Sequence, residues 1–315
     1  MTSITQIRRT REANSVSVRR LTYRGWSGCY VIANNLVETL LVPQIGRIMQ
    51  FRFRGDSTGP FWENPALDCT NSPVDEEGWR NYGGDKCWPA PQSDWQCIVG
   101  HAWPPPLTID SAPMAIVATA DSIRMESSVD PHYGIRIIRS IRISPHRAEM
   151  VVTTDFSKVF GSPVSVGIWV VSQMNGHGQV FALLPNKHPD SALKQITGPP
   201  PQDLEINNRL LSLRRHSTEN VKIALECNEL MWMDDHCMLR ITGHAVQTVT
   251  SAVYTNKDPL QYVELETESA ISKLRVGEQI SHKNTYTLFR RQLKDARKEA
   301  AKVFEIDQLG GPGAD

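Results

Sequence analysis

Gly134-Ile135-Arg136-Ile137-Ile138-Arg139-Ser140-Ile141-Arg142-Ile143, and shortly after it Ala148-Glu149-Met150-Val151-Val152-Thr153-Thr154-Asp155-Phe156, is the stretch that decides the fold class. Both runs are rich in Ile, Val and Thr and short enough to be strands rather than helices. The pattern continues outward in both directions, in Val37 to Val42, Ser165 to Met174, Val246 to Tyr254 and Tyr262 to Glu266. Asn34-Asn35, Gly55-Asp56, Asn175-Gly176 and Pro199-Pro200-Pro201 punctuate the runs as turns and loops. Only Arg290 to Phe304 reads well as helix, with Leu293, Ala296 and Ala300 along one face. Many strands and one late helix predict an all-β chain of packed antiparallel sheets, not a parallel α/β sheet. Residues 1–309 are expected to form a single domain and 310–315 a disordered tail.

Composition narrows the function classes. Lys plus Arg equals Asp plus Glu at 34 each, so no net charge draws the chain to nucleic acid or anionic lipid. No stretch approaches the roughly 20 apolar residues of a membrane span. The first residues, MTSITQIRRTREANS, have no apolar core of a signal peptide. The expectation is a cytoplasmic protein with reduced cysteines, and with no nucleic-acid or membrane partner. Cys29, Cys69, Cys87, Cys97, Cys227 and Cys237 form no C-x-x-C pair and read as small core residues. No histidine pair has metal-ligand spacing, and phosphate-binding and nucleophile-elbow motifs are missing, so neither a metal nor a cofactor is expected.

From Trp62 to Pro106 the strand pattern lapses. Five of the eight tryptophans lie there: Trp62, Trp79, Trp88, Trp95 and Trp103. So many aromatics predict an ordered excursion that builds a pocket. Its densest part is Asn81-Tyr82-Gly83-Gly84-Asp85-Lys86-Cys87-Trp88-Pro89-Ala90-Pro91-Gln92. Gly83-Gly84 permits a tight turn with positive φ, expected to push Asp85 and Lys86 out together. Trp faces stack on sugar rings, while Asn, Asp, Lys and Gln bond the hydroxyls. A loop that merely covers the end of a sheet is the bland alternative.

Three further places carry candidates. In Tyr262-Val263-Glu264-Leu265-Glu266, strand alternation puts Tyr262, Glu264 and Glu266 on one face. Paired buried carboxylates raise a pKa and make an acid or base; an exposed strand with its acids in water is the alternative pattern. In Ser165 to Gln173, Ser165, Trp169 and Gln173 share a face that is either sugar-lining or core. Arg47 sits in an apolar strand and needs a partner or a ligand. His132 lies at a turn from which a cleft is within reach.

Taken in order, these residues resemble a family. Pro43-Gln44-Ile45-Gly46-Arg47-Ile48, Trp62-Glu63-Asn64-Pro65, the Asn81 to Gln92 string, Trp103-Pro104-Pro105-Pro106, Tyr262 to Glu266 and Leu274-x-x-Gly277-Glu278 look like a little-characterised group related to galactose mutarotase, or aldose 1-epimerase. The resemblance implies a β-supersandwich of the galactose mutarotase-like type with a sugar cleft on a large sheet. It implies that a late Glu, here Glu264, takes the proton of the anomeric hydroxyl. Where the family carries a mid-chain His, this chain carries the Trp169 to Gln173 stretch, which has none. Lys86, Asp85 or His132 is then the candidate proton donor. The expected site is Glu264, Lys86 and Asp85 for chemistry. Arg47, Asn81, Trp88, Gln92, Trp95, His132, Trp169, Gln173 and Glu266 are expected to bind the carbohydrate. Two functions are open: an enzyme acting on a sugar or sugar-like ring by acid–base catalysis, as an epimerase or isomerase or by a related elimination, and a non-catalytic sugar-binding protein with the same cleft.

Overall fold

The computed structural model describes residues 16–72, 78–186, 189–244 and 250–305. Two antiparallel sheets pack face to face. The first runs, strand by neighbouring strand, Ser17–Tyr23, Trp26–Ala33, Val37–Val42, Arg47–Phe53, Asp85–Ala90, Val164–Asn175, Tyr262–Glu268, Thr250–Thr255, Val221–Glu226 and Leu193–Thr197. The second contains Gln279–Arg290, Glu149–Lys158, Ile135–Ile143 and Ser122–Val129 at one end and Gln179–Leu183, Glu229–Met233 and Cys237–His244 at the other. The runs that decided the fold class pair with each other as expected, Ile135 opposite Lys158 through to Ile143 opposite Met150. The strand expected over 246–254 is described from Thr250; residues 246–249 and the tail 310–315 lie outside the described residues.

Strand alternation builds the interior. Ile48, Phe51, Cys87 and Val170 of the first sheet meet Ile137, Ile141, Val152 and Phe156 of the second in one buried apolar cluster. Asp85 ties the layers together. It pairs with Arg139 of the second sheet, and accepts hydrogen bonds at Oδ2 from Tyr286 Oη (2.6 Å) and Ser172 Oγ (2.6 Å). All four of these side chains are buried.

The late helix is shorter than its sequence suggests. Arg290 closes the Gln279–Arg290 strand, which keeps pairing with Cys237–His244 to its last residue. Helix begins only at Ala296, where the Asp295 carboxylate accepts from the Lys298 N–H at 3.0 Å. Ala300 and Ala301 seat it against Phe181, Leu210 and Met231. Among the described residues no helix is long and apolar enough to cross a membrane. Cys29, Cys87, Cys227 and Cys237 are buried, whereas Cys69 and Cys97 are exposed, so the core reading fits four of the six.

The 62–106 excursion is less irregular than it reads. Asp85–Ala90 is a central strand, paired with Val164–Asn175 from Gly167↔Ala90 to Ser172↔Asp85. Pro89 hides it in the sequence. A proline is tolerated there because the Arg47–Phe53 strand pairs with this one only at Ile48↔Asp85 and then diverges. Gly83 and Gly84 have φ of 88° and 72°. A Cβ on Gly83 would run into the Trp62 carbonyl, so the chain can make this approach only with glycine.

Candidate functional site

The outer face of the first sheet carries a cleft of about 470 Å³, a volume typical of small-molecule sites. Its floor follows the register. One rung holds Gln173, Glu264, Tyr254 and Lys222 side by side. The next holds Lys86, Val171, Glu266 and Ala252, and the third begins Trp88, Trp169, Glu268. The short Val171 and Ala252 leave room between the longer side chains of the flanking rungs. Trp79, Trp103 and Gln92 form one wall; Asn256, Leu260 and Tyr262 form the other.

The two carboxylates sit in different company. Glu266 Oε2 accepts from Lys222 Nζ at 2.6 Å and from Trp169 Nε1 at 2.9 Å. Glu264 Oε1 accepts from Gln173 Nε2 at 2.8 Å, and Glu264 forms no salt bridge among the described residues. Burial pushes Glu264 up to about 7; Lys86 opposes this and the charge of Glu266 adds to it. The amine of Lys86 is the counterpart. Burial, reinforced by the nearby Arg47 cation, pushes it down to about 8 against the pull of Glu264 and Asp110. Lys86 Nζ is buried with no hydrogen-bond partner in the described chain, and it lies 4.8 Å from the Trp88 ring centre. Gln173 Oε1 and Asn81 Oδ1, on the same cleft, are also buried without a partner. Each unmet group costs about 1–3 kcal/mol in a folded protein. Together they offer one donor and two acceptors, a pattern that matches a pair of hydroxyls.

The aromatic wall is held from behind by Asp110. Its Oδ1 accepts from Trp88 Nε1 at 2.8 Å and Arg47 Nη2 at 2.9 Å, and its Oδ2 from Trp79 Nε1 at 3.1 Å. Burial would raise this carboxyl, but Arg47 and Lys86 outweigh it and hold Asp110 below its ordinary value. The Trp88 and Trp169 rings pack edge to face with centroids 5.0 Å apart.

Eight of the twelve residues expected at the site line this cleft: Asn81, Lys86, Trp88, Gln92, Trp169, Gln173, Glu264 and Glu266. Four do not. Asp85 points to the other face of the sheet from Lys86, because adjacent strand residues alternate; its place is the interior bridge to Arg139. The expectation that Asp85 and Lys86 emerge together is therefore corrected. Arg47 lies beneath the wall as the partner of Asp110. Trp95 is buried behind Trp88 and donates from Nε1 to the Pro89 carbonyl at 2.8 Å. His132 is exposed at a turn capped by Asp130, outside the cleft lining. Asp110, Lys222 and Tyr254 are present without having been foreseen. Lys222 alternates with Val221, Ile223 and Leu225 and so reads as a solvent-facing lysine. Among the described residues no histidine lines the cleft, and no group of three His, Cys, Asp or Glu is placed to hold a metal ion.

No protein-family model and no curated protein matches the chain. Solved structures do. A candidate aldose 1-epimerase from Escherichia coli K12 superposes with a TM-score of 0.57 at 12% identity, over 84% of this chain and 99% of its own. A galactose mutarotase-like protein from Clostridium acetobutylicum gives 0.57 at 9% identity, over 88% and 99%. Another from Lactobacillus casei gives 0.57 at 8%, over 83% and 100%. At these identities the likeness is one of architecture, and the architecture of this chain is the galactose mutarotase-like β-sandwich.

Proposed function

We propose that the cleft binds a sugar or sugar-like ring and catalyses acid–base chemistry on it, of the epimerase or isomerase class. One observation carries this reading. A buried carboxylate and a buried amine, Glu264 and Lys86, line one aromatic-walled cleft with their pKa values drawn toward neutrality from opposite sides. In this scheme the Glu264 carboxylate takes the proton of the anomeric hydroxyl. The Lys86 ammonium gives a proton to the ring oxygen. The ring bond breaks, an aldehyde forms, and reclosure on the other face returns both protons. Of the three candidate donors, Lys86 alone lines the cleft, since Asp85 is committed to Arg139 and His132 sits at an exposed turn. Trp88 and Trp169 supply faces for the ring, and Asn81 and Gln173 supply acceptors for its hydroxyls.

The sugar-binding reading without catalysis is favoured by Gln173, an amide rather than an acid beside Glu264. A thermal-shift screen over neutral aldoses, uronic acids and sugar phosphates tests what both readings share. A ligand specific to the native state raises the melting temperature by linkage. A sugar that raises it in the wild type, and not in Trp169→Ala, supports the cleft; no shift with any sugar removes both readings.

A further inference from the structure

The ring opening proposed above, on which this inference rests, has a chemical consequence for Lys86. Giving its proton to the ring oxygen turns the ammonium into a free amine at the moment the anomeric carbon becomes an aldehyde. The ring oxygen and the anomeric carbon are bonded neighbours. An amine in hydrogen-bond reach of the first, about 3 Å, is in attack range of the second, ~3–3.5 Å. We propose that Lys86 is a nucleophile as well as an acid, and that its Nζ forms a Schiff base with the open-chain carbonyl form of the sugar.

The comparison with other lysines supports the assignment. Lys222 lines the same cleft but is locked onto Glu266 at 2.6 Å, and its pKa is raised: burial works against this, and Glu266 outweighs it. Lys158 is buried but donates to the Tyr133 carbonyl at 2.6 Å. Lys86 has no such bond, is 1% exposed, and stands near the fixed positive charge of Arg47. Desolvation beside a second cation is the setting that makes a lysine nucleophilic.

The atoms balance without any further reagent. The Nζ lone pair forms the N–C bond while the carbonyl π pair moves to oxygen, and a nitrogen proton passes to that oxygen, giving a carbinolamine. Glu264 already holds the proton taken from the anomeric hydroxyl. It passes that proton to the carbinolamine hydroxyl, the C–O bond breaks, water leaves, and an iminium remains with Glu264 ionised again. The iminium makes the hydrogen on the adjacent carbon acidic. The cleft's chemistry thereby extends from anomer exchange to isomerisation at that carbon.

The test is reductive trapping on the full chain. The protein is treated with glycolaldehyde, a hydroxyaldehyde too short to form a ring, and separately with the sugars of the thermal-shift screen. Sodium cyanoborohydride is present throughout, and peptides are mapped by mass spectrometry. Glycolaldehyde should label Lys86 at least about ten-fold faster than Lys222 or the exposed lysines, since Lys86 is lowered to about 8 against about 10.4 for an ordinary lysine, and faster than Lys158, whose amine burial also lowers but which is engaged by the Tyr133 carbonyl. A sugar that raises the melting temperature should slow that labelling and itself be trapped on Lys86. Lys86→Met should lose the fast label; if it does not fold, Lys86→Arg keeps the charge and cannot form the imine. Labelling of Lys86 no faster than of exposed lysines overturns the proposal. The failures separate cleanly. A stabilising sugar with Lys86 unlabelled sinks the Schiff base alone. No stabilising sugar, with Lys86 still labelled by glycolaldehyde, sinks the sugar reading and leaves a reactive amine.

Discussion

Lys222 Nζ lies 2.6 Å from Glu266 Oε2, and this pairing leaves Glu264, two residues along the same strand face, as the cleft-lining carboxylate with no salt bridge among the described residues. The Tyr262–Glu268 strand carries three acids on that face in unequal environments: Glu266 is paired, Glu264 lines the cleft unpaired, and Glu268, also pushed up to about 7 by burial and by the charge of Glu266, lies outside the cleft lining. The paired acid is fixed in place and orients Trp169 through the indole N–H. In the proposed chemistry Glu264, the cleft-lining acid without a salt bridge among the described residues, is the proton acceptor.

The activity should depend on pH in a narrow bell. The proposed catalysis needs Glu264 ionised and Lys86 protonated. Glu264 is raised to about 7 and Lys86 lowered to about 8, so the competent fraction rises through the first value and falls through the second. The profile of kcat/KM from pH 5 to 10 checks this, since that ratio reports the acid and base of the free protein. A profile flat across about 6–9 would assign the chemistry to other groups.

Lys222→Met should move the acid limb of that profile. Lys222 is one of the charges holding the Glu264 pKa down, and its loss also frees the negative charge of Glu266. Both effects raise the Glu264 pKa, so the acid limb shifts to higher pH while the alkaline limb, set by Lys86, moves less. An unmoved acid limb would separate Glu264 from the rate.

Stability should carry the same titration. Glu264 keeps its proton in the fold up to about 7, against an ordinary value of 4.5. Between those values the folded chain binds more protons than the unfolded one, so the contribution of Glu264 is intact below about 4.5 and is lost as pH rises through about 7. Glu264→Gln has no such loss. Urea midpoints of wild type and variant should diverge in the variant's favour from pH 4.5 to 7. A constant gap would mean that Glu264 titrates as an ordinary surface acid.

Asp85→Asn should unfold more easily because it strips the buried Arg139 guanidinium of its counter-charge, while Tyr286 and Ser172 lose a carboxylate acceptor. The expected loss is about 3–5 kcal/mol in denaturant unfolding. The fraction that remains folded should still bind sugar, since Asp85 faces away from the cleft. A stable Asp85→Asn that has lost sugar binding would contradict the placement.

That residue also marks where sequence reading stops. The alternation in Gly134 to Ile143 and Ala148 to Phe156 made the sheets legible, because a half-buried strand must write its two faces in period two. The same rule, applied to Tyr262 to Glu266, put Glu264 and Glu266 on one face. Asp85 and Lys86 escape the same rule because Gly83-Gly84 and Pro89 disguise their strand as a loop. Arg47 announced that it needed a partner, but nothing in spacing points to Asp110, which is 63 residues away. Burial of Glu264 was equally out of reach, since it depends on walls contributed by the Trp79 to Trp103 segment and by Tyr254 to Tyr262. Local periodicity fixes faces; only the closed sheet decides which face is dry.

In the proposed chemistry Glu264 removes a proton from a sugar held in this cleft. Two-dimensional exchange NMR on each sugar that raises the melting temperature measures anomer interconversion at equilibrium and needs no coupled enzyme. The wild type should speed the exchange of at least one sugar. Glu264→Gln should slow that enzymatic rate by about 10²–10⁴-fold while the sugar still binds, because the amide keeps the shape and loses the base. A Glu264→Gln protein that exchanges anomers as fast as the wild type, or a wild type that binds sugars and accelerates none of them, would contradict the account.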